Sequence, residues 1–186
     1  MTHPDLVNLQ TRARVTELAA RLDAGIVAID GPSGAGKSTI ADLLVADLRA
    51  RGVGVTLVRT DDFATWDDPV AWWPELETDV LHPFTRRRDY RYRPRVWQDG
   101  VPAPGPRAWI EWQPLLIIEG VSSARRRIAD RLSHALWLDG GTPGERLERT
   151  VARDGEDARG HLQAWQEFER GWFGVDRTRE RCVVLD

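Results

Sequence analysis

Lysine is nearly missing from this chain. Of 26 basic residues in 186, only Lys37 is a lysine and the rest are arginines. Such a bias lets lysine drift away wherever a generic positive charge suffices, so the survivor marks a site that needs an ammonium in particular. Cysteine is as scarce. Cys182 stands alone, so no internal disulfide can form and nothing points to an oxidising compartment. Its apolar neighbours place it in a core strand. Long apolar runs are absent as well: none approaches the roughly 18 residues needed to span a membrane. The first 24 residues carry Asp5, Glu17 and Asp23 in place of a signal peptide's apolar block. Leu6, Leu9, Val15, Leu18 and Leu22 fall near helical spacing there and predict an N-terminal helix within 1–24. The expected compartment is the cytoplasm. A basic surplus is also lacking, with a net charge of −3, which argues against a dedicated nucleic-acid binder. The clusters Arg86–Arg88 and Arg125–Arg127 read as solvated surface.

What is present fits one soluble domain with a well-buried core: 41% apolar and 30% charged residues. "GIVAID" (25–30) reads as a buried strand, and Ile40, Leu43, Leu44 and Leu48 give 37–50 a helical period. "VTLVRT" (55–60), "PLLIIEG" (114–120), "HALWLD" (134–139) and "CVVLD" (182–186) complete five strands. Helix-like stretches fall at 122–132, 142–154 and 157–171. Strands alternating with helices predict an α/β fold, a parallel sheet covered on both faces. Segment 61–114 breaks the rhythm. It holds six of the nine tryptophans and no clear apolar period, and it reads as a functional insertion.

Between the first strand and the first helix lies Gly31-Pro32-Ser33-Gly34-Ala35-Gly36-Lys37-Ser38, which fits G-x-x-x-x-G-K-[ST] in the context that motif requires. Glycines let the backbone curl until several N–H groups face one anion. The helix starting near Lys37 adds its positive end. The predicted nucleotide cradle is therefore Gly31, Ser33, Gly34, Ala35, Gly36, Lys37, Ser38 and Thr39, with Lys37 on the β- and γ-phosphates and the Ser38 hydroxyl on Mg²⁺. A compact ammonium fits inside such a loop where a planar guanidinium would not.

Ligands of open parallel sheets sit beyond the carboxyl ends of the strands. The acids placed there are Asp61 and Asp62, Glu119, and Asp139. Phosphoryl transfer needs a carboxylate to position metal and a group to take the acceptor's proton. Glu119 suits the metal, Asp61 the base, and Asp62 either the metal shell or a helix cap; Asp139 is expected to cap the helix at Pro143. Arg146, Arg149 and Arg153 share one helix face before Gly155 and Gly160, as in a hinged lid able to close on the transferring phosphate.

With "GPSGAGKST", "DDF", "LLIIEG" and "ERLERTVARDGEDARG" in view, nearly everything from Gly25 to Asp186 resembles the uridine kinase-like group of P-loop kinases. That group includes nicotinamide riboside kinases, pantothenate kinases and phosphoribulokinases. The resemblance implies a three-layer sandwich around a five-stranded parallel sheet of order 2-3-1-4-5. It also implies ATP and Mg²⁺ as cofactors, Asp61 as base, and Arg149 and Arg153 as lid arginines. The chain departs from the group at His82-Pro83, which lacks the adjacent aspartate that uridine kinases carry in their acceptor region.

The acceptor is expected to lie against the 61–114 insertion, contacted by Asp61, Phe63, Tyr92, Arg93 and Trp97, while most of the insertion's tryptophans form a small core of its own. The expected activity is γ-phosphate transfer from ATP to a hydroxyl of a small molecule, a nucleoside by preference. A nucleoside monophosphate kinase using Arg86 to Arg93, an antibiotic or metabolite phosphotransferase, and a nucleotide-binding switch or ATPase module remain open. The expected partner is a small-molecule acceptor, with neither nucleic acid nor membrane.

Overall fold

The computed structural model describes residues 9–67, 69–98 and 101–185. Asp5 and Leu6 of the expected N-terminal helix, and Asp186 at the end of the fifth strand, lie outside them. Helix α1 spans Leu9–Ala19 and α2 spans Lys37–Ala50. Strands β1 (Gly25–Asp30) and β2 (Val55–Arg59) flank α2. The insertion contributes helices α3 (Trp73–Leu76) and α4 (His82–Thr85) and the short strands β3 (Tyr90–Tyr92), β4 (Arg95–Gln98), β5 (Val101–Pro104) and β6 (Ala108–Ile110). Strands β7 (Leu115–Glu119) and β8 (His134–Trp137), helices α5 (Pro143–Asp154) and α6 (Arg159–Asp176), and strand β9 (Val183–Val184) follow.

The central sheet is parallel, with spatial order β2-β7-β1-β8-β9. Numbering only these five strands along the chain gives 2-3-1-4-5, as expected. The chain leaves β1 towards one edge, then crosses to the other through β8. Its reversal point is the carboxyl end of β1, where the glycine-rich loop sits.

Alternation along the strands divides the core into two layers. Val27, Ile29, Leu115 and Ile117 face Ile40, Leu44 and Leu48 of α2 and Val15 and Ala19 of α1. Ile26, Leu116 and Ile118 face the other way, onto Phe63, Trp72, Trp73, Leu76, Leu81 and Phe84. The insertion therefore supplies the second face of the main core, which corrects the expectation of a separate small core. Burying large aromatics against a sheet removes far more apolar surface from water than a detached cluster could.

Residues 73–85 also form a helical run that the sequence hid. Trp73, Leu76, Val80 and Phe84 carry a helical period, but Pro74 and Pro83 interrupt it. Pro74 is harmless near the start of α3. Pro83 has no N–H to give Asp79, and the turn before it widens into a π-type turn over Glu77–Leu81. The expected helix at 122–132 is replaced by turns and a 3₁₀ segment, Arg126–Arg131. Cys182 precedes β9 instead of lying in it and is half-buried, with burial pushing its thiol up to about 12. Thr142, not Asp139, caps α5, exchanging hydrogen bonds with Glu145. Asp139 instead pairs with Arg179 at 2.7 Å. Among the described residues no helix is long and apolar enough to cross a membrane.

Candidate active site

The loop between β1 and α2 curls as an anion cradle must. Gly31, Gly34 and Gly36 take φ of 143°, 75° and 92°, which side chains rarely adopt. At Gly34 a Cβ would meet the Arg146 carbonyl oxygen at 2.5 Å. At Gly36 it would meet nothing within 4 Å, so that φ serves the curl itself and leaves open space. Lys37 begins α2, is buried, and donates from Nζ to the Pro32 carbonyl at 3.0 Å. Its ammonium is thus folded back over the loop. Ser33 lies in the turn of the loop and Ala35 is buried beneath it; Thr39 follows Ser38 into the first turn of α2.

Acids ring this cradle. Ser38 donates from Oγ to Glu119 at 3.2 Å, and Arg59 lies 3.5 Å from the same carboxylate. Burial at the tip of β7 pushes Glu119 up to about 7, against the pull of Lys37. This hydroxyl–carboxylate pair suits Mg²⁺, which takes one or two protein ligands beside phosphate oxygens and water. Among the described residues no group of three or more His, Cys, Asp or Glu side chains forms a metal cluster, and that mode of binding does not require one. Asp61 is exposed in a 3₁₀ turn, Thr60–Asp62, straight after β2. Asp62 points elsewhere, accepting from the Tyr92 hydroxyl at 2.8 Å, and burial raises its pKa.

Helix α5 straps the loop down. Arg149 donates from Nε to the Gly34 carbonyl at 2.9 Å and from Nη2 to that of Gly140. Arg146 bonds the carbonyls of Asp139 and Gly141. Arg153 is the member of the row that reaches the cleft, held in plane by two bonds of 2.6 and 2.7 Å to Asp154.

That cleft has a volume of about 380 Å³ and is lined by Ser33, Asp61, Trp66, Trp97, Arg153 and Trp165, among others. Trp97 and Trp165 stand nearly perpendicular to Trp66, with ring centroids 4.9 and 5.5 Å away, and His161 stacks on Trp66 at 4.9 Å. Of the expected acceptor contacts, Asp61 and Trp97 are here. Phe63 is buried between Trp72 and Tyr92, with centroids at 5.5 and 5.2 Å, and Tyr92 is buried with it. Both build the wall's foundation and do not line the cleft. Arg93 is exposed and does not line it either.

Three contributors escaped the sequence. Asp30, wholly buried at the end of β1, accepts from the backbone N–H groups of Gly31, Ser122 and Ala124 at 2.7, 3.1 and 2.8 Å. It thereby ties the start of the loop to the segment after β7, and burial pushes it up to about 7. Trp165 closes the cleft from α6. Glu169, also on α6, accepts from the Ser33 backbone N–H at 2.9 Å and from its hydroxyl. Only for Asp30 was there a local signal, a carboxylate ending a buried strand directly before the glycines. The α6 residues are far away in sequence, and only the fold brings them in.

The sheet order, the loop at its reversal point and the acids at its strand tips define the P-loop nucleoside-triphosphatase class of α/β fold. No protein-family model matches the sequence and no curated protein matches it. A solved structure provisionally named a uridine kinase, from Bacillus stearothermophilus, superposes with a TM-score of 0.67 at 17% identity, covering 96% of this chain and 100% of that one. A Silicibacter protein provisionally named a fructose transport system kinase superposes with a TM-score of 0.58 at 20% identity, covering 95% and 97%. At these identities the likeness is one of fold.

Proposed function

We propose that this protein is an ATP-dependent kinase that transfers the γ-phosphate to a hydroxyl of a small molecule, a nucleoside by preference. The observation that carries this reading is the shared cleft. Ser33 of the phosphate loop, the carboxylate of Asp61 and the guanidinium of Arg153 line one space of about 380 Å³, so a phosphate end and an acceptor hydroxyl can meet there. The loop N–H groups and Lys37 hold the phosphates and spread their charge; Asp61 takes the acceptor's proton; Arg153 supports the charge that develops. Bound Mg²⁺, held through Ser38 and Glu119, would screen the phosphate oxygens. The indole walls offer stacking faces for a flat ring, and Trp165 with the rest of α6 keeps water out. In this reading the chain works as one cytoplasmic domain, with 61–114 as acceptor insertion and 142–171 as lid.

The lining arginine is Arg153, with none of Arg86–Arg93. This favours a neutral acceptor over a nucleoside monophosphate, whose phosphate would need its own cations. The test is ADP formation from Mg²⁺-ATP with and without a panel of nucleosides, nucleoside monophosphates and sugars. Turnover that rises with one nucleoside supports the reading. Slow hydrolysis indifferent to the whole panel would replace it with a switch or ATPase module.

A further inference from the structure

Glu169 is a glutamate with 1% of its surface exposed, on the helix that closes the cleft. Its carboxylate accepts both the backbone N–H and the hydroxyl of Ser33. A loop shaped to hold an anion thus already holds a carboxyl group of the chain itself, whose pKa burial raises against the pull of Lys37. The position matters. Ser38, beside Glu119, marks the metal side of the loop. Ser33 lines the cleft together with Asp61 and Arg153, so the phosphate nearest Ser33 is the one to be transferred. One N–H cannot serve a carboxylate and a terminal phosphate together, and two anions so close in a dry site repel each other strongly.

We infer that Glu169 is a resident competitor of the terminal phosphate: a triphosphate must displace it from Ser33, whereas a diphosphate binds with it in place. Glu169 thereby sets how far the site distinguishes ATP from ADP. This rests on the kinase reading above. It adds that Glu169 ties the loop to its own lid helix, and that arrival of the terminal phosphate frees α6, whose Trp165 forms a wall of the acceptor cleft. The Lys37–Pro32 contact fits the same picture, since phosphate oxygens can take the place of the uncharged carbonyl that the ammonium bonds.

Glu169→Gln keeps the length and an oxygen able to accept from Ser33 while removing the charge. Dissociation constants for a non-hydrolysable β,γ-imido ATP analogue and for ADP, both with Mg²⁺, give the readout by calorimetry. The triphosphate should bind about tenfold tighter or more in the variant, with the diphosphate changed by no more than about twofold. A purely structural tie would leave both affinities unchanged or weaken both together, and either result overturns the inference. Should Glu169→Gln fail to fold by circular dichroism, Ser33→Ala removes the hydroxyl link alone. It should shift the ratio of the two constants in the same direction, and an unshifted ratio overturns the inference. A wild-type protein that binds both nucleotides with a ratio insensitive to these changes refutes only the role of Glu169. One that binds neither removes the kinase reading as well.

Discussion

Lys37 and Asp61 stand under opposite conditions. Lys37 is buried, donating to a carbonyl of its own loop, while Asp61 is exposed at the cleft wall. A base at the mouth of a cleft can take a proton and release it to water, so Asp61→Asn should lower turnover by about 10²- to 10⁴-fold with little effect on nucleotide affinity. Unchanged turnover would move the role off this residue. Asp62 does not stand in for it, since its carboxylate is engaged by Tyr92. Glu119 makes a different prediction. Burial raises it from 4.5 to about 7, so between those values the folded chain binds a proton that the unfolded chain releases. Stability in metal-free buffer therefore falls as pH rises from about 4.5 to 7, and this component levels off above that. Glu119→Gln should lose that share of the slope in denaturant titrations run across the range; a variant with the wild-type slope would show that the carboxylate is not penalised.

Helix α5 has one arginine face but two settings along it. Its first turns grip the loop through Arg146 and Arg149, which bond main-chain carbonyls, and its last turn presents Arg153 to the cleft. Arg149→Ala should therefore loosen the cradle and weaken nucleotide binding and turnover together. Arg153→Ala should lower turnover more than affinity, as expected for a group that acts on developing charge. Steady-state kinetics beside equilibrium nucleotide binding separates the two, and the same pattern in both variants would rule out the division. The i, i+3, i+7 spacing placed these three on one side of a helix, but could not say which turn abuts the loop. That depends on Gly34, whose bare Cα lets the Arg146 carbonyl approach. The helix in the insertion was obscured for a related reason. Local rules treat Pro83 as a stop, and the widened turn at 77–81 is tolerated because Leu76, Val80 and Leu81 are fully buried around it.

Taken as one body, the chain should gain stability from nucleotide if the kinase reading holds, since a ligand that binds only the folded state stabilises it by mass action. Mg²⁺-ATP at about 100 times its dissociation constant should add about 2.7 kcal/mol, seen as a raised Tm in calorimetry. Lys37→Ala should fold normally and show little of that rise; a full rise in the variant would remove the loop lysine from phosphate binding. The two aromatic groups of the insertion divide their work in the same way. Trp72 and Trp73 complete the second core layer, while Trp66 and Trp97 wall the cleft. Their residue type and their shared segment gave no means to separate them, because burial against the sheet is decided by how the segment folds back over β1, β2 and β7.

Strand tips, the glycine-rich loop and the positions of the acids beyond the strands were readable in the chain because each depends on neighbours within a few positions: a buried apolar run, glycines directly after it, a lysine at a helix start, a carboxylate ending a strand. The sheet order followed from resemblance and agrees with the pairing seen. The partners of Ser33, the identity of the cleft walls and the division of labour along α5 came only with the tertiary structure. Ser33 and Glu169 are 136 residues apart, and a contact over that distance is set by packing of helices on the sheet, for which no local pattern of charge or hydrophobicity is diagnostic.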